Sequence, residues 1–254
     1  MARGMTLNVG INGLSRGTRL DQISVPDQLR VRLRTGLPFF DDALGGEGLV
    51  PSAVMMLTGT PGAGKTTMML QLADSIVSQG HVCLYNTGEE SLYQVKMVSE
   101  RLKLKSGFVV GQDILVTDLL SHADHLREQN PGKQVFIIQD SLQTLDDGKY
   151  STGANSATPL RCAEMLTDWA KTHFMNVAFV GQVTKDGTFS GKNAIMHAID
   201  IRGSLYIDGD KKSETFGERI FEVKKNRFGP TGISQILGLN REGLYGKGSI
   251  SWDT

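Results

Sequence analysis

Residues 59–66 read GTPGAGKT and fit the spacing G-x-x-x-x-G-K-[ST]. An apolar run, AVMMLTG at 53–59, precedes them, and a helical pattern at 65–80 follows. That context is the one in which such a loop binds phosphate. Gly59, Gly62 and Gly64 let the backbone fold into a concave nest whose N–H groups face an anion. Thr60, Pro61, Ala63 and Thr67 complete the predicted nucleotide-binding segment. The start of the following helix adds a partial positive charge. Lys65 is expected to reach the β- and γ-phosphates, and the Thr66 hydroxyl to take a Mg²⁺ position, so the implied ligand pair is ATP with Mg²⁺.

Such a loop needs partners on neighbouring strands. The run QVFIIQD at 134–140 places Asp140 at the C-terminal tip of a buried strand, where a second metal-associated acid belongs. As a structural residue, it would be a strand-end cap. TGEES at 87–91 follows another strand and puts Glu89 and Glu90 near the same edge. One of them is expected to orient the attacking water, the other to start the next helix, where a carboxylate interacts well with the dipole. Glu89 is assigned to catalysis because it lies closer to the strand.

These residues require an alternating strand–helix chain. Predicted strands are 53–59, 81–88, 114–118, 134–140 and 176–183, with helices at 65–80, 91–103, 119–130 and 157–174. Alternation of this kind implies an α/β fold with a mostly parallel, twisted sheet and helices on both faces. Beyond residue 200 the segments 202–208, 217–228 and 232–240 alternate apolar and polar residues. They are predicted to be antiparallel strands extending one edge. Residues 1–34 form a basic arm, with Arg3, Arg16, Arg19, Arg30, Arg32 and Arg34 against Asp21 and Asp27; a solvated tail is the alternative. The core is assigned to 35–254.

Composition sets bounds on the 254-residue chain. Its 27 basic and 27 acidic side chains balance, which excludes a wholly basic nucleic-acid binder but not a local patch. Cys83 and Cys162 are too few for a disulfide scaffold or a four-thiolate zinc site, and they suit a reducing cytoplasm. No apolar run reaches the length of a membrane span. His122 and His125 share a predicted helix but have no third ligand nearby, which argues against zinc.

Taken in order, TG-x₇-LGG at 35–46, the loop at 59–66, TGEES, DSLQT at 140–144, GQVTKDG at 181–187 and KKNRFG at 224–229 resemble the ATPase core of the bacterial RadA/Sms family, relatives of RecA. The resemblance covers roughly residues 20–243, and KNRFG at 225–229 is its most discriminating part. It implies a RecA-like P-loop fold and a DNA-dependent ATPase, with a translocase or helicase activity among its forms. It further implies action in recombination and repair on single-stranded DNA, by branch migration, annealing or strand exchange. It also implies a homo-oligomer, as ring or filament, with ATP hydrolysed at subunit interfaces and other recombination or replication proteins as partners.

The same resemblance implies the nucleotide roles of Lys65 and Thr66, a Walker B role for Asp140 and a catalytic role for Glu89. Gln182 falls at an end-of-strand sensor position, commonly glutamine in RecA-like proteins and more often histidine in RadA proteins. Lys225 and Arg227 are expected to act on a neighbour's nucleotide or on DNA coupling. Read locally, KNRFG is a strand-to-turn segment with Phe228 packing inward and Gly229 turning the chain. No CxxC precedes the core and the chain stops at Thr254. The family's zinc finger and Lon-protease-like domain are therefore expected to be lacking, as in a phage or plasmid version. Polar loops at 147–159 and 184–194 carry Lys149, Tyr150, Lys185, Phe189 and Lys192, with lysines suited to phosphates and rings to base faces. Ordinary surface loops are the alternative there. A KaiC-like regulatory switch, acting on protein partners, is the second functional reading.

Overall fold

The computed structural model describes residues 18–151, 153–181 and 192–251. Strands β1 (Val54–Gly59), β2 (Val82–Thr87), β3 (Val109–Gly111), β4 (Val135–Asp140) and β5 (Asn176–Val180) pair in parallel. They continue into β6 (Ile201–Ile207), β7 (Arg219–Asn226), β8 (Ile233–Asn240) and β9 (Gly243–Ser251). The nine described strands form one sheet in the order β3-β2-β4-β5-β1-β6-β7-β8-β9. The centre of the sheet lies between two apolar layers, which is why β1 and β4 are buried along their whole length.

Period-two alternation assigns the layers. In β1, Met55 and Leu57 join one cluster with Phe40, Met68, Leu72, Tyr85 and Phe221, while Val54 and Met56 join the other with Leu119, Leu166, Trp169 and Phe179. Helices α1 (Pro38–Ala43) and α2 (Lys65–Ser78) cover the first face, and α4 (Val116–Gln129) and α5 (Thr158–His173) the second. Helix α3 (Leu92–Arg101) opens with a capping box, Ser91 and Gln94 exchanging side-chain and backbone hydrogen bonds. A short helix, α6 (Lys192–Ala198), precedes β6.

Two expectations need correction. The strand predicted at 114–118 is instead β3 at Val109–Gly111, and α4 begins at Val116. Buried Val116, Leu119, Ala123 and Leu126 have helical spacing, and Asp118 in the first turn favours the helix over an extended run. The segment predicted to be antiparallel at 202–208 is β6, which runs parallel to β1 and antiparallel only to β7. A helix precedes it, so it enters the sheet as a crossover strand. Helix α1 and strand β9 have no counterpart among the predicted elements; β9 carries three glycines and little alternation. In the N-terminal segment, Leu33 already lies in the core, and residues 18–32 form short exposed turns.

Candidate functional site

The parallel strands β1, β2 and β4 end at one edge of the sheet, bringing Gly59, Thr87 and Asp140 together. Gly59 has no room for a side chain, since a Cβ there would lie 1.9 Å from the Leu205 carbonyl oxygen. Gly62 and Gly64 have φ of 75° and 99°, so the loop needs glycine at both turns. The result is an open cleft of about 570 Å³ lined by Gly59, Pro61, Gly62, Gly64, Lys65, Thr66, Thr67, Glu89, Asp140, Val180 and Leu239. Thr60 and Ala63 contribute backbone: the Ala63 N–H donates to the Thr60 carbonyl at 3.2 Å.

The Lys65 ammonium folds back on the loop, donating to the Gly59 and Thr60 carbonyls at 3.1 Å each. Burial lowers its pKa, while the nearby negative charges of Asp140 and Glu89 act in the opposite direction. The Thr66 hydroxyl donates to Asp140 Oδ2 at 2.8 Å, and the buried Tyr85 hydroxyl donates to the same oxygen at 3.0 Å. Burial raises the Asp140 pKa despite these two donors, and burial next to Asp140 pushes the Tyr85 phenol well above its ordinary value. A cation beside Asp140 would relieve the buried charge. The Thr66 hydroxyl and the Asp140 carboxylate are both oxygen donors of the kind Mg²⁺ takes, so the site fits that ion.

Glu89 lines the cleft and accepts a 2.6 Å hydrogen bond from the Ser141 hydroxyl. Glu90 is not among the residues lining the cleft: its backbone is held by Thr87 and Gln112, and its Oε2 is buried with no hydrogen-bond partner among the described residues. Burial and the charges of Asp140 and Glu89 raise its pKa. The antiparallel extension braces the loop from the other side. Arg219 Nε donates to the Ala63 carbonyl at 2.6 Å, and Gln71 on α2 exchanges two hydrogen bonds with Leu244 on β9.

The remaining predicted residues are distributed around the fold. Lys149 and Tyr150 lie on the loop after β4, toward the cleft end of the sheet, with Tyr150 44% exposed. The Lys149 ammonium and the Arg161 guanidinium sit 5.7 and 5.4 Å from that ring's centroid. Arg161 also pairs with Asp147, holding the loop against the first turn of α5. Gln182, Lys185 and Phe189 lie outside the described residues; Lys192 begins α6, and its side chain is not described.

Lys225 and Arg227 lie at the opposite end of the sheet from the cleft. Asn226 pairs with Ile201 beside the start of β1, four residues or roughly 13 Å of strand from the level of Gly59. Lys225 Nζ donates to the Met196 and Ile199 carbonyls at 2.6 Å, and Arg227 binds Asp200 and the His197 carbonyl. Phe228 packs against the core. This pair therefore lies out of reach of the chain's own cleft. His122 pairs with Asp113 and His125 with Gln129, and no group of three metal-ligating side chains occurs among the described residues.

Sequence reasoning missed Tyr85, Ser141, Arg219 and Leu239. Ser141 stood next to a predicted acid and was signalled by position. Arg219 lies 156 residues from Ala63 and has no local signal.

A phosphate loop, a strand-end aspartate and a glutamate at one edge of this sheet define the class, a RecA-like P-loop ATPase domain. Comparison with known proteins narrows it. Residues 33–155 match the family described as ATPase: KaiC. The DNA repair protein RadA of Haemophilus influenzae is 36% identical over 227 residues, covering 89% of this chain and 46% of that protein. RadA of Bacillus subtilis is 33% identical over 214 residues (84% and 44%), and RadA of Escherichia coli 34% over 236 (92% and 48%). The chain is similar to these RadA proteins over most of its own length, and it spans slightly under half the length of these curated relatives. Among solved structures, one ATPase domain shares the fold with a TM-score of 0.73 at 16% identity, over 86% of this chain and 92% of that one. A DnaB-like replicative helicase gives 0.72 at 16% identity over 84% and 61%.

Proposed function

We propose that this domain binds ATP with Mg²⁺ and hydrolyses it in DNA repair and recombination, in the cytoplasm, as a homo-oligomer acting on single-stranded DNA. The observation that carries the catalytic part is the cleft. Lys65, the Thr66–Asp140 pair and Glu89 all face the space where a glycine-lined loop would hold phosphates. Lys65 exchanges its two loop carbonyls for phosphate oxygens and neutralises charge there. Thr66 and Asp140 hold Mg²⁺, which when bound screens the phosphate charge. Glu89 orients the attacking water and accepts its proton as the γ-phosphoryl group leaves. Thr60, Pro61, Ala63 and Thr67 shape the cradle around the chain of phosphates.

The RadA relatives support a role in DNA repair, and the exposed Lys149–Tyr150 loop supplies a cation and a ring suited to a single strand. In this reading Gln182, Lys185 and Phe189 contribute from the segment after β5 and Lys192 from the start of α6, and Lys225 or Arg227 acts across a subunit interface. The test is ATP turnover with and without single-stranded DNA, on wild type and on Lys65→Ala. DNA-stimulated turnover that is lost in the variant supports the reading; turnover in Lys65→Ala at the wild-type rate overturns it. The match to KaiC-type ATPases favours a second reading, an ATP-driven switch of protein partners, in which DNA leaves the rate unchanged.

A further inference from the structure

Beneath Glu89 lies a chain of buried side chains that the catalytic roles above do not use. Ser141 is fully buried, and its hydroxyl makes the 2.6 Å hydrogen bond to Glu89 Oε1. Its carbonyl accepts three times, from Gln139 Nε2 at 2.8 Å and from the Thr144 hydroxyl and backbone N–H at 2.7 and 3.2 Å. Gln139 Oε1 in turn accepts from Asn86 Nδ2 at 2.7 Å, and Asn86 is tied to the Asp113 backbone by hydrogen bonds of 2.9 and 2.8 Å. Asn86 and Gln139 are also fully buried. Thr144 is packed against the backbone that carries Glu89. A Cβ on Gly88 would fall 1.9 Å from Thr144 Oγ1, and the Gly88 N–H donates to the Asp140 carbonyl at 2.8 Å.

A carboxylate that must aim at one water molecule has to be held in one rotamer, and a flexible glutamate at an exposed position does not hold itself. Here the neighbouring charges of Asp140 and Glu90 push it away while that of Lys65 attracts it, and none of them fixes a direction. A short hydroxyl-to-carboxylate hydrogen bond opposes that push and fixes direction as well as distance. The hydroxyl can do this only if its own backbone is fixed, and the three donors on the Ser141 carbonyl fix it.

We propose that Ser141 is a positioning residue for hydrolysis, holding Glu89 toward the cleft, and that Thr144 and Gln139 act through it. The inference rests on the role given above to Glu89. It makes the turn Leu142–Thr144 part of the catalytic apparatus without contact to nucleotide. That turn leads directly into the loop bearing Lys149 and Tyr150, so the same hydroxyl network connects the base of that loop to the water-orienting acid.

The experiment compares Ser141→Ala, Ser141→Thr, Thr144→Val and Glu89→Gln in the full chain, measuring kcat and the Kd for ATP separately. Ser141→Ala is expected to lower kcat about tenfold, the scale of one charge-assisted hydrogen bond, with the Kd within about twofold of wild type. Ser141→Thr keeps the hydroxyl and restores most of the rate. Thr144→Val keeps the packing against Gly88, removes one donor and lowers kcat severalfold; it serves as well if Ser141→Ala does not fold. In the Glu89→Gln background, Ser141→Ala should cost nothing further, because the residue acts only through the carboxylate. A wild-type kcat in both Ser141→Ala and Thr144→Val overturns the proposal, as does an undiminished additional loss in the Glu89→Gln background. If Glu89→Gln itself turns over ATP at the wild-type rate, the role of Glu89 fails and the proposal falls with it. An inactive Glu89→Gln beside fully active Ser141→Ala and Thr144→Val overturns the positioning role alone.

Discussion

The cleft's side chains differ in what they contribute, and substitution separates them. Lys65 is a half-buried point charge whose described partners are two loop carbonyls, so nothing in the core depends on it. Lys65→Ala should abolish ATP turnover and leave the thermal transition within a few degrees of wild type, measured by circular dichroism. Arg219 is different: its Nε grips the carbonyl of Ala63 inside the loop, so it supports the shape of the cradle from outside it. Arg219→Ala should weaken ATP binding by roughly tenfold, the scale of one lost hydrogen bond to a charged group, read by titration calorimetry. An unchanged Kd would show that the glycines alone hold the loop.

At the scale of elements, the parallel half of the sheet was legible in the sequence because its strands are continuous apolar runs ending in glycine or acid. Those same strand ends carry Gly59, Asp140 and, one turn on from β2, Glu89, so the heart of the candidate site was legible with them. Three-residue β3 was misplaced because a run so short carries almost no periodicity, and the apolar residues after it serve α4 instead. Strand β9 was illegible for a different reason: its glycines at 243, 246 and 248 remove the side chains whose alternation marks a strand. Helix α1 is only six residues long, yet Phe40 on it is fully buried and stacks on Phe221 of β7 with ring centroids 5.2 Å apart. That contact joins the first helix to the antiparallel extension. Phe40→Ala should therefore cost about 3–5 kcal/mol of stability in a urea titration, as for other buried aromatics, and a loss below about 1 kcal/mol would place the anchor elsewhere.

For the whole molecule, two properties follow from where charges sit. Burial lowers the pKa of both His81 and His173, with Lys133 adding to the effect at the first and Arg127 at the second, while Asp124 opposes it at His173. A base with a lowered folded pKa takes its proton more readily when unfolded, so its contribution to stability is present above about pH 6.5 and is lost as pH falls. The carboxyls of Glu90, Asp140, Glu164 and Asp168 are raised and have the opposite sign, favouring the fold at lower pH. The histidine term is isolated by comparison: between pH 7 and 6, Tm should fall less in His81→Gln than in wild type. Equal slopes would mean that His81 titrates alike in both states. The second property concerns assembly. Lys225 and Arg227 lie at the far end of the sheet from the subunit's own Lys65, and Lys225 is bound to the carbonyls at the end of α6. Half of the Arg227 side chain remains exposed beyond its pairing with Asp200. In the proposed homo-oligomer, a subunit that presented that end to its neighbour's cleft would add a cation at the γ-phosphate, worth about a thousandfold in rate. Mixing provides the test. Lys65→Ala and Arg227→Ala subunits, each inactive alone, should regain ATPase activity together, because mixed assemblies contain some interfaces with an intact lysine on one side and an intact arginine on the other. Full activity of Arg227→Ala alone, or an absence of recovery in mixtures shown by light scattering to co-assemble, would confine Arg227 to its bond with Asp200 and leave the site complete within one subunit.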